Sequence, residues 1–274
     1  MSFSIRKIGP KKQNKSLSTH NIIQIIKQKT KKLAELYLKN RINKINIPIL
    51  YINLDRSVER NTYIEDQIGF YKLENITRIS GIDGNKKTNA TIITHGNLDG
   101  IEYKNYCGNK FTELGCLLSH IKAIKYAYDN NYNETLIVED DCYFGLMPCW
   151  DKDTLKDILS GLPSDWEIVA LFHILRIETD KKYKSAKNLA GFGAVAYVIN
   201  RRGMEKILNE SGHDIIDFKN NKLAVSDNYI YDLVNTYIYN LSLFMPINIS
   251  LKSVVGNGEL KHLNFSKNIL DKYI

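Results

Sequence analysis

The chain has 274 residues, 43% of them hydrophobic and 25% charged, and carries a formal net charge of +8. That is the balance of an ordinary soluble globular protein, long enough for one large domain or two small ones. No apolar run approaches the roughly 18 residues of a membrane helix, and Cys107, Cys116, Cys142 and Cys149 form no CxxC pair or zinc spacing, so free thiols are expected.

Residues 1–18 are polar and basic and read as loosely ordered. They lack the apolar segment of a secretory signal, so the expected location is intracellular and cytoplasmic. Much of the basic excess lies in the first 44 residues. It is a weak hint of an anionic partner, and nucleic acid is not expected. From Asn21 to Ile45 the positions Ile22, Ile25, Ile26, Leu33, Leu36 and Tyr37 recur near 3.6 residues and predict an amphipathic helix with a lysine-rich outer face. It could dock on an acidic partner or a membrane surface, or pack on the domain edge.

"IPILYINL" (47–54) is a nearly continuous apolar run, the pattern of a strand buried on both faces. A turn at Asp55-Arg56-Ser57 leads into a helix with the stripe Ile64, Ile68, Tyr71. "ITRIS" (76–80) is a second strand, ended by Gly81 and Gly84, and residues 85–110 read as loop. With Thr112 as N-cap, the stripe Leu117, Ile121, Ile124, Tyr128 predicts a helix leading to the strand Thr135–Val138. Further strands are expected at 166–172 and 194–199, a helix at 201–208, and another helix on the stripe Ile230, Leu233, Val234, Tyr237, Leu241. Strands alternating with helices argue for an α/β sheet covered on both faces.

In open α/β sheets ligands bind beyond the carboxyl ends of the strands. Two strand ends carry unusual chemistry. Asp55, Arg56 and Arg60 follow the first strand within one helical turn, and arginine can grip a phosphate while aspartate takes a sugar hydroxyl. Glu139-Asp140-Asp141 follow the 135–138 strand directly, with no lysine or arginine beside them in sequence. Such carboxylates suit Mn²⁺ or Mg²⁺, which take carboxylate oxygens, water and substrate phosphates; a solvated turn is the alternative. Together the two ends suggest a nucleotide diphosphate held between arginine and metal, as in a sugar nucleotide. Asp227 and, one turn on, Asp232 are candidates for the base that activates an attacking hydroxyl, although Asp227 also suits a helix cap.

"YINLDRSVERN", "RISGIDG", "ELGCLLSHIKAI", "LIVEDDCYF" and "GFGAVAYVINRRGMEKIL" occur in the order seen in glycosyltransferase family 25, which the chain resembles over about residues 47–245. The resemblance implies a GT-A-like fold, a mixed sheet flanked by helices. It also implies a UDP-sugar donor, Mn²⁺ dependence and inverting transfer of a hexose such as galactose to a glycan or collagen-like protein. Asn53, Leu54, Asp55 and Arg56 would line the nucleotide pocket. Glu113, Ser119 and His120 would lie near donor or acceptor, with His120 a candidate catalytic residue or a core histidine. Asp140 and Asp141 would stand in for the metal-binding DxD motif, with His262 completing the site from the tail. Residues 1–45 would be a helical extension without counterpart in that family, and 46–274 the transferase domain. Two other functions use the same features: a nucleotidyltransferase working through the same acids, and a non-catalytic basic binding module working through the lysine-rich helix.

Overall fold

Strand β1, Ile49–Asn53, is buried along its whole length, as its unbroken apolar run requires. It lies between two parallel partners, β2 (Ile76–Ser80) and β5 (Glu134–Glu139). The computed structural model describes residues 19–40, 44–84, 96–98, 101–104, 111–150, 154–173, 182–187, 193–211, 215–217, 225–246 and 266–272. Helix α2 (Val58–Tyr71) links β1 to β2, and α3 (Phe111–Asp129) precedes β5. The sheet continues through β7 (Ile168–Ala170), β8 (Tyr183–Ser185), β9 (Ala196–Asn200) and β11 (Thr236–Tyr239) in the order β2-β1-β5-β9-β7-β11-β8. It is mixed: β9 runs antiparallel to both β5 and β7, β11 is parallel to β7, and β8 is antiparallel to β11.

Side chains alternate across β1 and feed two cores. Leu50 and Ile52 join Leu117, Ile121 and Ile124 of α3, Met204 and Ile207 of α5 (Arg201–Ser211), and Ile230 of α6 (Ser226–Leu233). Ile49 and Tyr51 join Ile64 of α2, Ile158 of α4 (Leu155–Ser160), and Ile22, Ile26, Leu33 and Tyr37 of α1 (Thr19–Asn40). Each buried Ile or Leu contributes about 1.5–3 kcal/mol relative to exposure. The lysine-rich helix therefore packs on the sheet's outer layer, and Tyr37 Oη donates to Tyr71 O at 2.7 Å to tie α1 to the end of α2. Among the described residues no helix is long and apolar enough to cross a membrane.

Several elements differ from the sequence reading. The first helix spans Thr19–Asn40, and Ile45, the expected end, is not helical; Lys44 is buried, its carbonyl accepting from Leu155 N at 2.7 Å and its Nζ donating to Trp150 O at 3.0 Å. Helix α3 starts at Phe111, so Thr112 sits in its first turn and is not the cap. The segment read as loop over 85–110 contains β3 (Gly96–Leu98) and β4 (Ile101–Lys104), which pair with each other, and β4 pairs with β10 (Ile215–Asp217) in a small separate sheet. The stripe from Ile230 to Leu241 is not one helix. Helix α6 ends at Leu233, Val234 is extended, and "TYIY" forms β11. Thr236 and Ile238 are buried between β7 and β8 while Tyr237 is half-exposed, donating to Asp165 at 2.9 Å. A short aromatic and β-branched run fits either period, and strand pairing decided it. The last pair, β6 (Cys142–Tyr143) with β12 (Met245–Pro246), extends the chain beyond the acidic triplet.

Candidate active site

Register brings the site together. Asn53 pairs with Ser80 and Ile52 with Glu139, so the carboxyl ends of β2, β1 and β5 finish side by side. Buried Asn53 is the hinge of the cluster. Its Nδ2 donates to Asp140 Oδ2 at 2.7 Å and to Ser57 O at 3.2 Å, and its Oδ1 accepts from Arg78 Nη2 at 2.8 Å.

Asp55, Arg56 and Arg60 do not gather around one point, because each is engaged by a different acid or base. Asp55 is exposed and accepts from Arg78 Nη2 at 2.7 Å and Ser80 Oγ at 3.0 Å; those two hydrogen bonds hold its pKa below the usual value. Arg56 pairs with buried Asp83. Arg60, in the first turn of α2, turns inward: Nη2 lies 2.6 Å from Asp140 Oδ1 and 2.8 Å from Asp141 Oδ2. The acids lacked a basic neighbour only in sequence.

The triplet divides at Asp140. Glu139 faces α3, where His120 Nε2 lies 3.3 Å from its Oε1 and His120 Nδ1 lies 3.1 Å from Tyr197 Oη. Cys116, one turn before His120, completes a group whose Sγ, ring nitrogen and carboxylate oxygen lie within 4.8 Å of one another. Burial opposes a charge on His120, but hydrogen bonds to Cys116 and Glu139 outweigh it and push the pKa up to about 9. Asp140 and Asp141 face α2. Desolvation raises both; for Asp141 it is offset in part by Arg60 and reinforced by Glu139 and Asp140, leaving the group at about 7. Asp141 Oδ1 and Arg60 Nε are buried without hydrogen-bond partners.

A cavity of about 110 Å³ opens between these groups, lined among others by Leu54, Arg60, Asp83, Cys116, His120 and Glu139. Its wall is held by close backbone contact. A Cβ on Gly115 would lie 2.7 Å from Ile82 O and 2.8 Å from Gly84 N, so only glycine lets the 82–84 loop rest on α3. Ser119 locks the same contact, accepting from Ile82 N at 2.8 Å and donating to Gly115 O at 2.6 Å. Ser119 lines the cavity, but its hydroxyl is engaged in holding that loop.

The remaining expected residues are distributed unevenly. Asp227 lies inside the first turn of α6, not before it; Val225 takes the cap position. Burial raises the Asp227 carboxyl, and its charge couples to Glu139 and His120, so it adjoins the cavity without lining it. Asp232 is exposed one turn further on and is not brought to the cavity. Glu113 is half-buried in the first turn of α3 and is also absent from the lining. His262 lies outside the described residues, as does Cys107; Cys116, Cys142 and Cys149 are free thiols. Residues the sequence reading passed over include Asp83, Arg78, Tyr197 and Cys116. Only Cys116 carried a usable signal, its four-residue spacing from His120 on one helix.

The sequence profile of "Glycosyltransferase family 25 (LPS biosynthesis protein)" matches residues 46–218, the stretch that holds the strand ends, α3 and the acid triplet. The chain belongs to glycosyltransferase family 25. Human procollagen galactosyltransferase 2 is 25% identical over 171 residues, which are 58% of this chain. The match spans only 27% of that relative's length. The apo glycosyltransferase GlyE of Streptococcus pneumoniae aligns over 90% of this chain and 60% of its own, at 11% identity and a TM-score of 0.29.

Proposed function

We propose that this family 25 glycosyltransferase is a GT-A-like, metal-dependent, inverting enzyme. It moves a hexose, galactose first among candidates, from a UDP-sugar to a hydroxyl of a glycan or collagen-like protein. Residues 46–274 form the transferase domain in this reading and residues 1–45 an N-terminal extension, whose helix α1 packs on it.

The observation that carries the reading is the meeting of three parallel strand ends at a cavity with a buried acid pair beside it, one of whose oxygens, Asp141 Oδ1, has no partner. A buried carboxylate oxygen left unpaired is costly, and the all-oxygen donor set suits a hard divalent cation such as Mn²⁺ or Mg²⁺. Asp141 Oδ1 is the open donor of that set; both Asp140 oxygens are engaged and Glu139 meets His120. Asp141 would hold the cation, with Glu139 and Asp140 adjoining and His262 a candidate from the tail. Bound there, the cation would supply charge stabilisation to the departing diphosphate.

The chain's own residues do the rest. Asn53 and Arg60 orient Asp140 and Asp141. Leu54, Asp55 and Arg56, on the loop after β1, form the nucleotide side, with Ser119 in the cavity lining and Glu113 outside it. Asp227 is the favoured base: burial raises its carboxyl, which makes it a better proton acceptor for an attacking hydroxyl than an exposed aspartate. Exposed Asp232 is the weaker candidate, and His120 tunes the charge of Glu139.

The test is calorimetric binding of UDP with and without Mn²⁺ to the native chain and Asp141→Asn. Metal-dependent binding that the substitution lowers at least 100-fold is the expected result. Equal binding by both chains, or none by the folded native chain, would sink the proposal. UDP-sugar turnover should release UDP, whereas a nucleotidyltransferase would release pyrophosphate.

A further inference from the structure

The guanidinium of Arg60 occupies an unusual seat. One nitrogen, Nη2, serves both Asp140 Oδ1 and Asp141 Oδ2, at 2.6 and 2.8 Å. A well-fitted arginine–carboxylate contact uses two nitrogens on two oxygens. Here Nε is buried with no acceptor while Asp141 Oδ1, on the neighbouring group, is buried with no donor. A third such atom, Tyr63 Oη, comes from the next turn of the same helix, and its charge environment includes Asp141. Three of the four buried polar atoms without partners among the described residues therefore surround one ion-pair cluster. Asp140 is different: Oδ1 is on Arg60 and Oδ2 on Asn53 Nδ2 at 2.7 Å, so both oxygens are engaged.

Charge points the same way. One guanidinium faces two carboxylates and balances only one of them, while a divalent ion would balance both. Arg60 also lines the cavity, so its side chain borders open space.

We infer that Arg60 is the resident counter-cation of the Asp140–Asp141 pair, and that a divalent cation entering at Asp141 displaces its guanidinium toward the cavity, where a diphosphate can receive it. This rests on the metal-and-diphosphate reading above and adds a coupling to it. Without UDP, the metal competes with arginine for the acids. With UDP, the displaced guanidinium has an anionic partner, so metal and nucleotide strengthen each other's binding.

The experiment is a titration with Mn²⁺ alone, following free Mn²⁺ by electron paramagnetic resonance, then repeated with UDP. The chains compared are native, Arg60→Met, Arg60→Lys and Asp141→Asn. Removing the competitor should tighten Mn²⁺ binding at least tenfold in Arg60→Met, with Arg60→Lys between it and native. The gain in Mn²⁺ affinity on adding UDP should shrink in the same order. Folded Arg60→Met that binds Mn²⁺ no better than native overturns the inference. If Arg60→Met unfolds without metal, recovery of its melting transition by Mn²⁺ supports the exchange. Absence of recovery, with Arg60→Lys no tighter than native, overturns it. Asp141→Asn separates the two levels. Native-like Mn²⁺ binding by that chain removes the metal reading and this inference with it. Loss of binding there, alongside unchanged affinity in Arg60→Met, removes only the role given to Arg60.

Discussion

Glu139 and the Asp140–Asp141 pair are consecutive in the chain, yet they are compensated from opposite sides by cations of different kinds. Glu139 turns to α3 and meets His120, a fully buried imidazole that can lose its proton. The aspartates turn to α2 and meet Arg60, whose charge is permanent at any working pH. What reads as one acidic triplet is thus two electrostatic units. The α3 unit is compensated by a cation that can titrate, the α2 unit by one that cannot.

The largest effect should come from breaking the α2 unit. Removing one member of a buried ion pair leaves the other charge uncompensated and costs about 3–5 kcal/mol. Arg60→Met should lose that much stability in denaturant unfolding at pH 8 without metal. The loss should shrink toward pH 5. Burial already holds Asp141 at about 7, and without Arg60 that value rises further, so the acid is neutral at low pH and needs no counter-ion. A loss independent of pH, or one under 1 kcal/mol, would contradict the assignment of Arg60 as the pair's counter-cation.

The α3 unit should give a smaller effect of a different shape. His120 titrates at about 9 in the folded chain against 6.5 unperturbed. Burial lowers it, Cys116 and Glu139 raise it, Tyr197 faces its other nitrogen, and Asp227 couples to it more weakly. A raised histidine stabilises the fold fully below about 6.5, and that stabilisation is lost as pH climbs through 9. The loss across that window is on the order of 3 kcal/mol for a shift of this size. His120→Gln should flatten the stability profile between pH 6.5 and 9 while leaving the Arg60-dependent change below pH 7 in place. A native profile already flat there would mean that His120 is neutral and merely hydrogen-bonded.

The two units also differ in how far the sequence disclosed them. The strands beneath were legible, because "IPILYINL" and "TLIV" are apolar runs of strand length and α3 carries a clear stripe. The four-residue step from Cys116 to His120 was readable once that helix was assigned, so half of the α3 unit was available from local spacing. The α2 unit was not. Arg60 lies about eighty residues before its acids, and what joins them is the parallel register of β1 with β5. Register is a property of strand pairing, which local composition does not encode. The same limit explains β11, where Tyr237 fits a helical stripe until its pairing with β7 and β8 is known.

Arg56 offers the finest test of the contrast, since it too pairs with a buried acid and stands only four residues before Arg60. Its side chain is 45% exposed, against 14% for Arg60, and its partner Asp83 belongs to the loop on the cavity wall. Exposed pairs of this kind contribute about 0.2–1 kcal/mol, because water screens the attraction and the flexible side chain loses entropy when held. Arg56→Met should therefore move the unfolding midpoint only slightly, by an amount that falls further in high salt. Its consequence should appear in UDP affinity, if the loop after β1 forms the nucleotide side as proposed. Arg60→Met should show the converse, a large stability loss together with tighter Mn²⁺ binding. A stability loss of about 2 kcal/mol or more in Arg56→Met would put the two arginines in one class. The division between a surface that meets the nucleotide and a buried cation that guards the acids would then fail, since exposure would no longer predict which arginine holds the fold.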